Sequence, residues 1–478
     1  MAEVLGRLPL ALEHAAAYVL ARGSSYGAYH RLFTERQNEL WRRAEKPERY
    51  HATITTTWEL AFDQVKQTPG AMDLLNLCCF LDPEGIPLDL IKQIATVETL
   101  HATSLRATVA DELALEDALG ALRRYSLMQR GASALNRQQN DNVLTLHRLV
   151  QAVARLQLGH ELAKEWAAAA IELVTSDLPD WHHLHAWEAG PQLLPHMIAA
   201  GNFGAAVGLE TERLAFLDNW SGFYLKFRGE YRTARPFYER SLALAEKVFG
   251  SEHSETAIRL NNLGLLLQAM GDLSAARPFY ERALAIYEKA LGSDHPDTAS
   301  SLNNLGALLQ AMGDLSAARP YFERALAIRE KALGPDHPDT ALSLNNLGML
   351  LQASGDLPEA RPYLERALAI REKALGPDHP ATALSLNNLG ALLHASGQSA
   401  EAVPYFERAY QIRLAALGDA HPDTAQSIWW LGVIAEESGN LEEAQANYSR
   451  AYTIFERALG PNHPTTQQVL SFLNGLNQ

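Results

Sequence analysis

Hydrophobic and polar positions along this chain follow two different rhythms. From about residue 211 onward the pattern recurs every 42 residues: LNNLG places its glycine at Gly264, Gly306, Gly348 and Gly390, and a loop histidine recurs at His253, His295, His337, His379, His421 and His463. Degraded copies carry the register to Gly222 and Gly229 at one end and to Gly432 and Gly439 at the other. Six repeats therefore run from about Thr211 to Gly460. In the copy that begins at Pro296, this proline suits the first helical position, His295 or Asp294 can cap it, and Leu302, Leu305, Gly306 and Leu309 follow at helical spacing. Gly313 and Asp314 break that helix. Ala317, Tyr321, Ala325 and Ile328 then recur at steps of three and four until Gly334 ends a second helix. Small residues at Gly306 and Ala318 would let the two helices approach closely. Each unit thus predicts a helical hairpin that can bury its faces only against its neighbours.

The order of Leu305, Gly306, Ala318, Phe322 and Ala325 resembles the tetratricopeptide pattern. The wider string NNLG, GD, A..Y.ERAL.I.E..LG..HP at this period is similar to the kinesin light chain type. The resemblance covers about half of the chain. It implies a right-handed solenoid whose first helices line a concave groove and whose second helices face outward.

The packing face of a first helix is Leu260, Leu263, Gly264 and Leu267, which leaves Ile258, Asn262, Leu265 and Ala269 for the groove. Stacking sets Asn262, Asn304, Asn346 and Asn388 in one row and Asn261, Asn303, Asn345 and Asn387 in a second, flanked by Gln268, Gln310 and Gln352. Asparagine both donates and accepts, so such a ladder suits the backbone of an extended peptide. The alternative is that one Asn of each pair ties neighbouring helices together. In the end copies the Asn positions hold Asn219 with Trp220 and Trp429 with Trp430; these tryptophans are either binding anchors or caps of the stack. The Arg-Pro pairs at Arg277, Arg319 and Arg361 read as ordering the second helix, and the loop histidines stand a repeat apart, too far to share a metal ion.

The first part of the chain lacks the 42-residue register. Its opening LGRLPLALEHAAAYV, with Leu8, Pro9, Leu10, Ala11 and Leu12 as core, resembles the GLPLAL motif of the NB-ARC class of signal-transduction ATPases. Helical patterns follow at 55–65, 71–81, 87–94 and 112–124, then alternating runs at 126–130 and 142–146. Helices followed by a polar-tipped hairpin read as a winged helix. LTLHRLVQAVAR comes next and resembles that family's MHD-type motif, with His147 as its histidine and Leu146 and Arg148 where Met and Asp are usual. The resemblance implies nucleotide contacts for Pro9, near the adenine, and for His147, at the terminal phosphate; the alternative for His147 is a helix cap or core residue.

Composition narrows the function. There is no GxxxxGK[ST] string, so no loop to cradle phosphates, and no cofactor is expected in this chain; ADP or ATP would need a nucleotide-binding core that is missing here. The chain is expected to start where that core would end, as a fragment or as a product that has lost it. Nothing resembles a nucleophile elbow, a carboxylate pair or a Cys-His arrangement, so the expectation is not an enzyme. His182, His183, His185 and His196 read as a helical joint rather than a metal site. Of the net charge of −15, residues 1–160 contribute −1, with 17 basic and 18 acidic side chains, and the remainder −14. Nucleic-acid binding is therefore not expected, with only Arg123, Arg124 and Arg130 near the hairpin, whereas a partner segment of basic character is. The adjacent Cys78 and Cys79, the lack of an 18-residue apolar run and the lack of a basic leader point to core thiols in a cytoplasmic protein, away from any membrane.

The fold expected is mainly α: a helical remnant at 1–50, a winged-helix-like domain with a small β-hairpin at 51–160, a helical lead-in at 161–210, six tetratricopeptide hairpins at 211–464 and a capping helix at 465–478. The function expected is a protein-interaction module that captures a peptide or protein segment and serves as the sensor of a signalling ATPase. The rivals are a piece of a nucleotide-switched ATPase and a pure scaffold.

Overall fold

The computed structural model describes residues 61–96, 103–131, 142–176 and 189–476, together with positions 25, 27, 28, 31 and 178. Pro9, most of the stretch expected as a remnant, and His182, His183 and His185 lie outside the described residues. The chain divides into two compact units, 1–181 with 187–217 and 182–186 with 218–478, so the division falls inside the helix Glu212–Phe227.

In the first unit the apolar helix Ala71–Cys78 buries Leu74, Leu75 and Leu77 completely. Cys78 and Cys79 are free thiols in this core. Burial pushes the Cys79 thiol up to about 12 and that of Cys78 well above its ordinary value. The helix Glu112–Arg124 begins at Asp111, whose Oδ1 accepts from the N–H groups of Leu113 at 2.9 Å and Ala114 at 3.4 Å. Its Leu115, Ala118, Leu119 and Leu122 recur at steps of three and one on the buried face.

The sheet is antiparallel, in the order β1 (Ile86–Pro87), β3 (Val143–Leu146), β2 (Met128–Arg130), with Met128 opposite Leu146 and Ile86 opposite Leu144. The β2–β3 pair is the expected hairpin. The two-residue β1 is too short to carry a period, and the helix Thr103–Ala110, sequence TSLRATVA, has too few apolar positions to form a stripe; neither was foreseen. The helix Arg148–Thr175 then runs for 28 residues, bent at Gly159 where φ is 71°. The buried Gln151 anchors it by donating to the carbonyls of Cys78 and Leu81, both at 3.0 Å.

The second unit is built from hairpins. The first repeat pairs Glu212–Phe227 with Tyr231–Val248; the next pairs Ser254–Ala269 with Leu273–Ala290, and so on to Pro422–Glu437 with Leu441–Leu459. Pro464–Gly475 covers the last hairpin. From the second repeat on the caps follow one rule: the loop histidine precedes the first helix and its Nδ1 accepts the N–H two residues on, 3.2 Å from Asp297 for His295 and 3.0 Å from Asp423 for His421. Ahead of Glu212–Phe227 the hydroxyl of Thr211 accepts from Leu214 N–H at 3.2 Å instead. Between the two residues offered by the sequence, His295 is the cap of the first helix. Asp314 caps the second, accepting from Ala317 N–H at 3.1 Å. That helix starts at Leu315, so Arg319 and Pro320 lie inside it. Arg319 there pairs with Glu323 one turn on, at 2.7 Å.

Close approach within each hairpin rests on its glycine. A Cβ on Gly264 would stand 2.6 Å from the Tyr280 ring, and one on Gly306 2.9 Å from the Phe322 ring, so any side chain at these positions would overlap the second helix.

The solenoid returns upon itself after five repeats. His421 Nε2 meets the carbonyl of Phe227 at 2.5 Å, with the two rings 6.2 Å apart, and Pro422 lies against Gly229. One repeat on, His463 and Pro464 lie against Gly271 in the same way. The hairpin turns of the first two repeats thus rest on the caps of Pro422–Glu437 and Pro464–Gly475. His421 is only 7% exposed, whereas the side chains of His295 and His337, the same residue in the same sequence context, are about two-fifths exposed.

Candidate peptide-binding groove

Successive first helices touch one another more extensively than successive second helices do, which puts the first helices on the inner radius of the solenoid. On that inner surface Ile258, Asn262 and Leu265 are half-buried, as are Ser300, Asn304 and Ala307 and then Leu342, Asn346 and Met349 in the next copies. Small and apolar positions therefore alternate with one amide per repeat.

The two asparagine rows separate. Asn261, Asn303, Asn345 and Asn387 are 2–7% exposed, and Asn261, Asn303 and Asn387 donate through Nδ2 to Ser301 at 2.7 Å, Ser343 at 2.8 Å and Ser427 at 3.2 Å of the following repeat. This row ties repeats together and does not face the groove, which corrects the expectation for it. A buried amide must be hydrogen-bonded, and the serine 40 residues on supplies the partner.

Asn262, Asn304, Asn346 and Asn388 form the half-buried row. Asn262 donates to Asn219 Oδ1 at 2.9 Å, Asn346 to Asn303 at 3.4 Å and Asn388 to Asn345 at 3.1 Å. One N–H is used in these three, which leaves each amide a second N–H and a carbonyl oxygen. Asn304 makes no such bond: Asn261 Oδ1, its counterpart acceptor, is buried without a partner.

The flanking positions diverge. Gln268 accepts from Tyr280 Oη at 2.9 Å, so its carbonyl serves its own hairpin; in the next two copies the place of Tyr280 is taken by Phe322 and Leu364, which have no hydroxyl, and Gln352 Oε1 is left buried and unpaired. Trp220 is 8% exposed and packs beside Tyr224, so it is core rather than a groove anchor. Trp430 stacks on Phe406 at 4.9 Å and 9°, Trp429 meets Phe472 edge-on at 5.7 Å, and both join the core cluster of the last hairpin. They close the stack, although Trp429 also reaches the seam between turns.

Sequence reading missed a set of buried arginines. Arg371 donates through Nη1 to the Ala381 carbonyl at 2.9 Å and Ser385 Oγ at 2.8 Å, and Arg329 and Arg413 do the same one repeat either side. Burial without a paired carboxylate pulls the Arg371 guanidinium down to about 10. The available signal was the coincidence of arginine in REKAL or IRLAAL with serine 14 residues later.

On the outer helices the charges neutralise one another. Arg277–Glu281 and Arg361–Glu365 pair along a helix at 2.7 Å, while Arg282–Glu246, Arg366–Glu330 and Arg408–Glu372 pair between repeats at 2.6–2.7 Å.

In the first unit His147 caps the helix Arg148–Thr175, with Nδ1 accepting from Leu149 N–H at 3.2 Å. His196 is 1% exposed, 3.3 Å from the Gly85 carbonyl, and burial lowers its pKa. Among the described residues no group of three or more His, Cys, Asp or Glu is placed to hold a metal, and no helix is long and apolar enough to cross a membrane.

Comparison with known proteins follows these divisions. The family described as Tetratricopeptide repeat matches 213–289, 260–331, 297–373 and 339–415, and a second family of the same description matches 431–465. Residues 60–162 match a domain of unknown function (DUF7779). A nucleotide-binding leucine-rich repeat (NLR)-like protein of Hyaloscypha variabilis is 28% identical over 272 residues, 54% of this chain and 25% of its own, so the chain spans about a quarter of that relative. Among solved structures, a Podosopora anserina protein described as a kinesin light chain with nearly identical TPR-like repeats is 28% identical over 43% of this chain and 97% of its own, with a TM-score of 0.35. A Rap protein complexed with competence and sporulation factor is 15% identical over 68% of this chain and 95% of its own, with a TM-score of 0.43. The 42-residue hairpins of the second unit are tetratricopeptide repeats, and together they build a tetratricopeptide solenoid.

Proposed function

We propose that this protein is a non-enzymatic interaction module that holds an extended protein segment along the inner surface of its solenoid. The observation that carries this reading is the half-buried row, repeated at one spacing: apolar positions such as Leu265 and Met349 for side chains, and the remaining amide groups of Asn262, Asn304, Asn346 and Asn388 for a peptide backbone. The net charge of −14 over 161–478 favours a segment of basic character, and the cytoplasm is the compartment that suits two buried free thiols.

A photo-crosslinker at Ala307 of the full chain tests it. Partner crosslinks should form there and be absent from an outward position such as Glu323. In the same assay Asn304→Ala with Asn346→Ala should weaken capture by about 5- to 30-fold, the loss of one to two net hydrogen bonds. Equal crosslinking from both faces, or unchanged capture by the double variant, would sink the proposal.

A second reading joins the first unit to it: a winged-helix-like regulatory module of an NB-ARC-type ATPase, with ligand capture shifting that module relative to a nucleotide-binding core in a longer parent. The antiparallel hairpin following Glu112–Arg124 and the NLR-like relative support it. In such a parent Pro9 and His147 would contact nucleotide. Coupling requires that the captured segment prefer one of the two arrangements. This chain alone should not bind ADP or ATP tightly; micromolar affinity in a calorimetric titration would overturn that.

A further inference from the structure

The place where the solenoid returns upon itself holds an open pocket of about 470 Å³. Tyr231 and Gln268 line it from the earlier turn, and Asp423, Gln426, Trp429 and Gln468 from the later one. Phe455 and Leu459 give it an apolar wall, and among the described residues no lysine or arginine lines it and Asp423 is its one formal charge.

That carboxylate is fixed but little used. The Asp423 N–H is taken by His421 Nδ1, and the Asp423 carbonyl accepts from Arg413 at 2.8 Å, so the backbone is held on both sides. Its side chain is 57% exposed, and His421 Nδ1, at 3.9 Å, is already committed to the cap and carries no proton to share. Lys226 and the buried Arg413 both attract the same carboxylate, yet neither forms an ion pair with it within 4 Å. The Gln268 and Gln426 carbonyls are taken by Tyr280 and Arg413. What remains, a carboxylate at the rim with the Gln468 amide, an indole and a phenol nearby, suits a planar cation on an aliphatic stem.

We propose that the seam pocket receives an arginine side chain, with the Asp423 carboxylate as its counter-ion and Trp429 and Tyr231 as the surfaces flanking it. In a segment held on the inner surface this pocket would read one basic residue, a specificity that the amide row cannot supply because amides contact backbone alike in every sequence. The proposal rests on the groove reading only for the origin of the arginine; the pocket itself is testable with a small molecule.

The probe is N-acetyl-arginine methylamide, titrated into the full chain and followed by broadening of its own proton resonances. Saturable binding is expected, with the uncharged N-acetyl-citrulline methylamide weaker by about threefold or more. Asp423→Asn should bring arginine binding down to the citrulline level. His421→Ala, which removes the contact with Phe227, should weaken it as well, while His295→Ala, the same cap away from the seam, should leave it unchanged. Equal binding of the two probes, absence of saturation, or full binding by Asp423→Asn would overturn the pocket. If these fail while Asn304→Ala with Asn346→Ala still weakens partner capture, the groove reading survives without the pocket. The lysine analogue binding more tightly than the arginine one would overturn the choice of a planar cation.

Discussion

Gly264→Ala puts the hairpin contact to a quantitative test. A helical glycine replaced by alanine gains about 1 kcal/mol in intrinsic helix propensity, so without tertiary contacts the variant would be the more stable protein. Here the new Cβ would stand 2.6 Å from Tyr280 Cε1 and 2.9 Å from Cδ1. Overpacking of a filled core costs about 1–3 kcal/mol. Tyr280 is fully buried and its hydroxyl is held at 2.9 Å by Gln268, so the ring can move aside only by giving up that bond, about 1 kcal/mol more. The net expectation is a loss of about 1–3 kcal/mol, read as a lower urea midpoint for the solenoid transition, shifted by about 1 M for a typical slope.

Gly306→Ala meets Phe322 at 2.9 Å, but that ring carries no hydroxyl, so its loss should be smaller. Gly120 has nothing within 4 Å of its Cβ direction, and Gly120→Ala should stabilise the first unit by up to about 1 kcal/mol. Tyr280→Phe in the Gly264→Ala background should recover part of the loss, a coupling measurable in a double-mutant cycle. A Gly264→Ala protein as stable as the parent, or one less affected than Gly306→Ala, would show that propensity outweighs the contact.

Arg371→Ala leaves the Ala381 carbonyl and Ser385 Oγ buried without their cationic donor and should destabilise the solenoid by about 2–4 kcal/mol in the same urea assay. Cys78 and Cys79 should stay unreactive toward a thiol reagent at pH 8 in the native protein, since burial holds Cys79 at about 12, and both should label once urea unfolds the first unit. Burial lowers the His196 pKa, so below the unfolded value of about 6.5 the unfolded chain takes up more protons than the folded one; the first unit should lose stability as pH falls through and below that value. His196→Gln should flatten this pH dependence in melts at pH 7 and pH 5.5, and an equally steep dependence in the variant would assign it elsewhere.

The repeat, its hairpins and its break points were legible because each is a local pattern: a 42-residue period, helical spacing of Leu and Ala, histidine before proline, and small residues such as Gly306 and Ala318 where the helices approach. The hairpin of the first unit was legible for the same reason, whereas the two-residue β1 and the helix Thr103–Ala110 carry no period to read. Within the inner row the local pattern sufficed to pick out Ile258, Asn262 and Leu265 as one face. It could not separate the two asparagines of each pair, because adjacent helical residues differ by only 100° and the buried partner of Asn303 is Ser343, a full repeat away.

What each repeat is, and which edge it shows its neighbours, follows from local residues, since those interactions span at most one hairpin and its successor. Tertiary structure alone decided where the turns meet. His421 and His337 are the same residue in the same local string, yet one is buried against Phe227 and the other stands open. The difference arises because the small rotation between successive repeats adds up to a full turn after five, and a sum of small angles is not written in any single repeat.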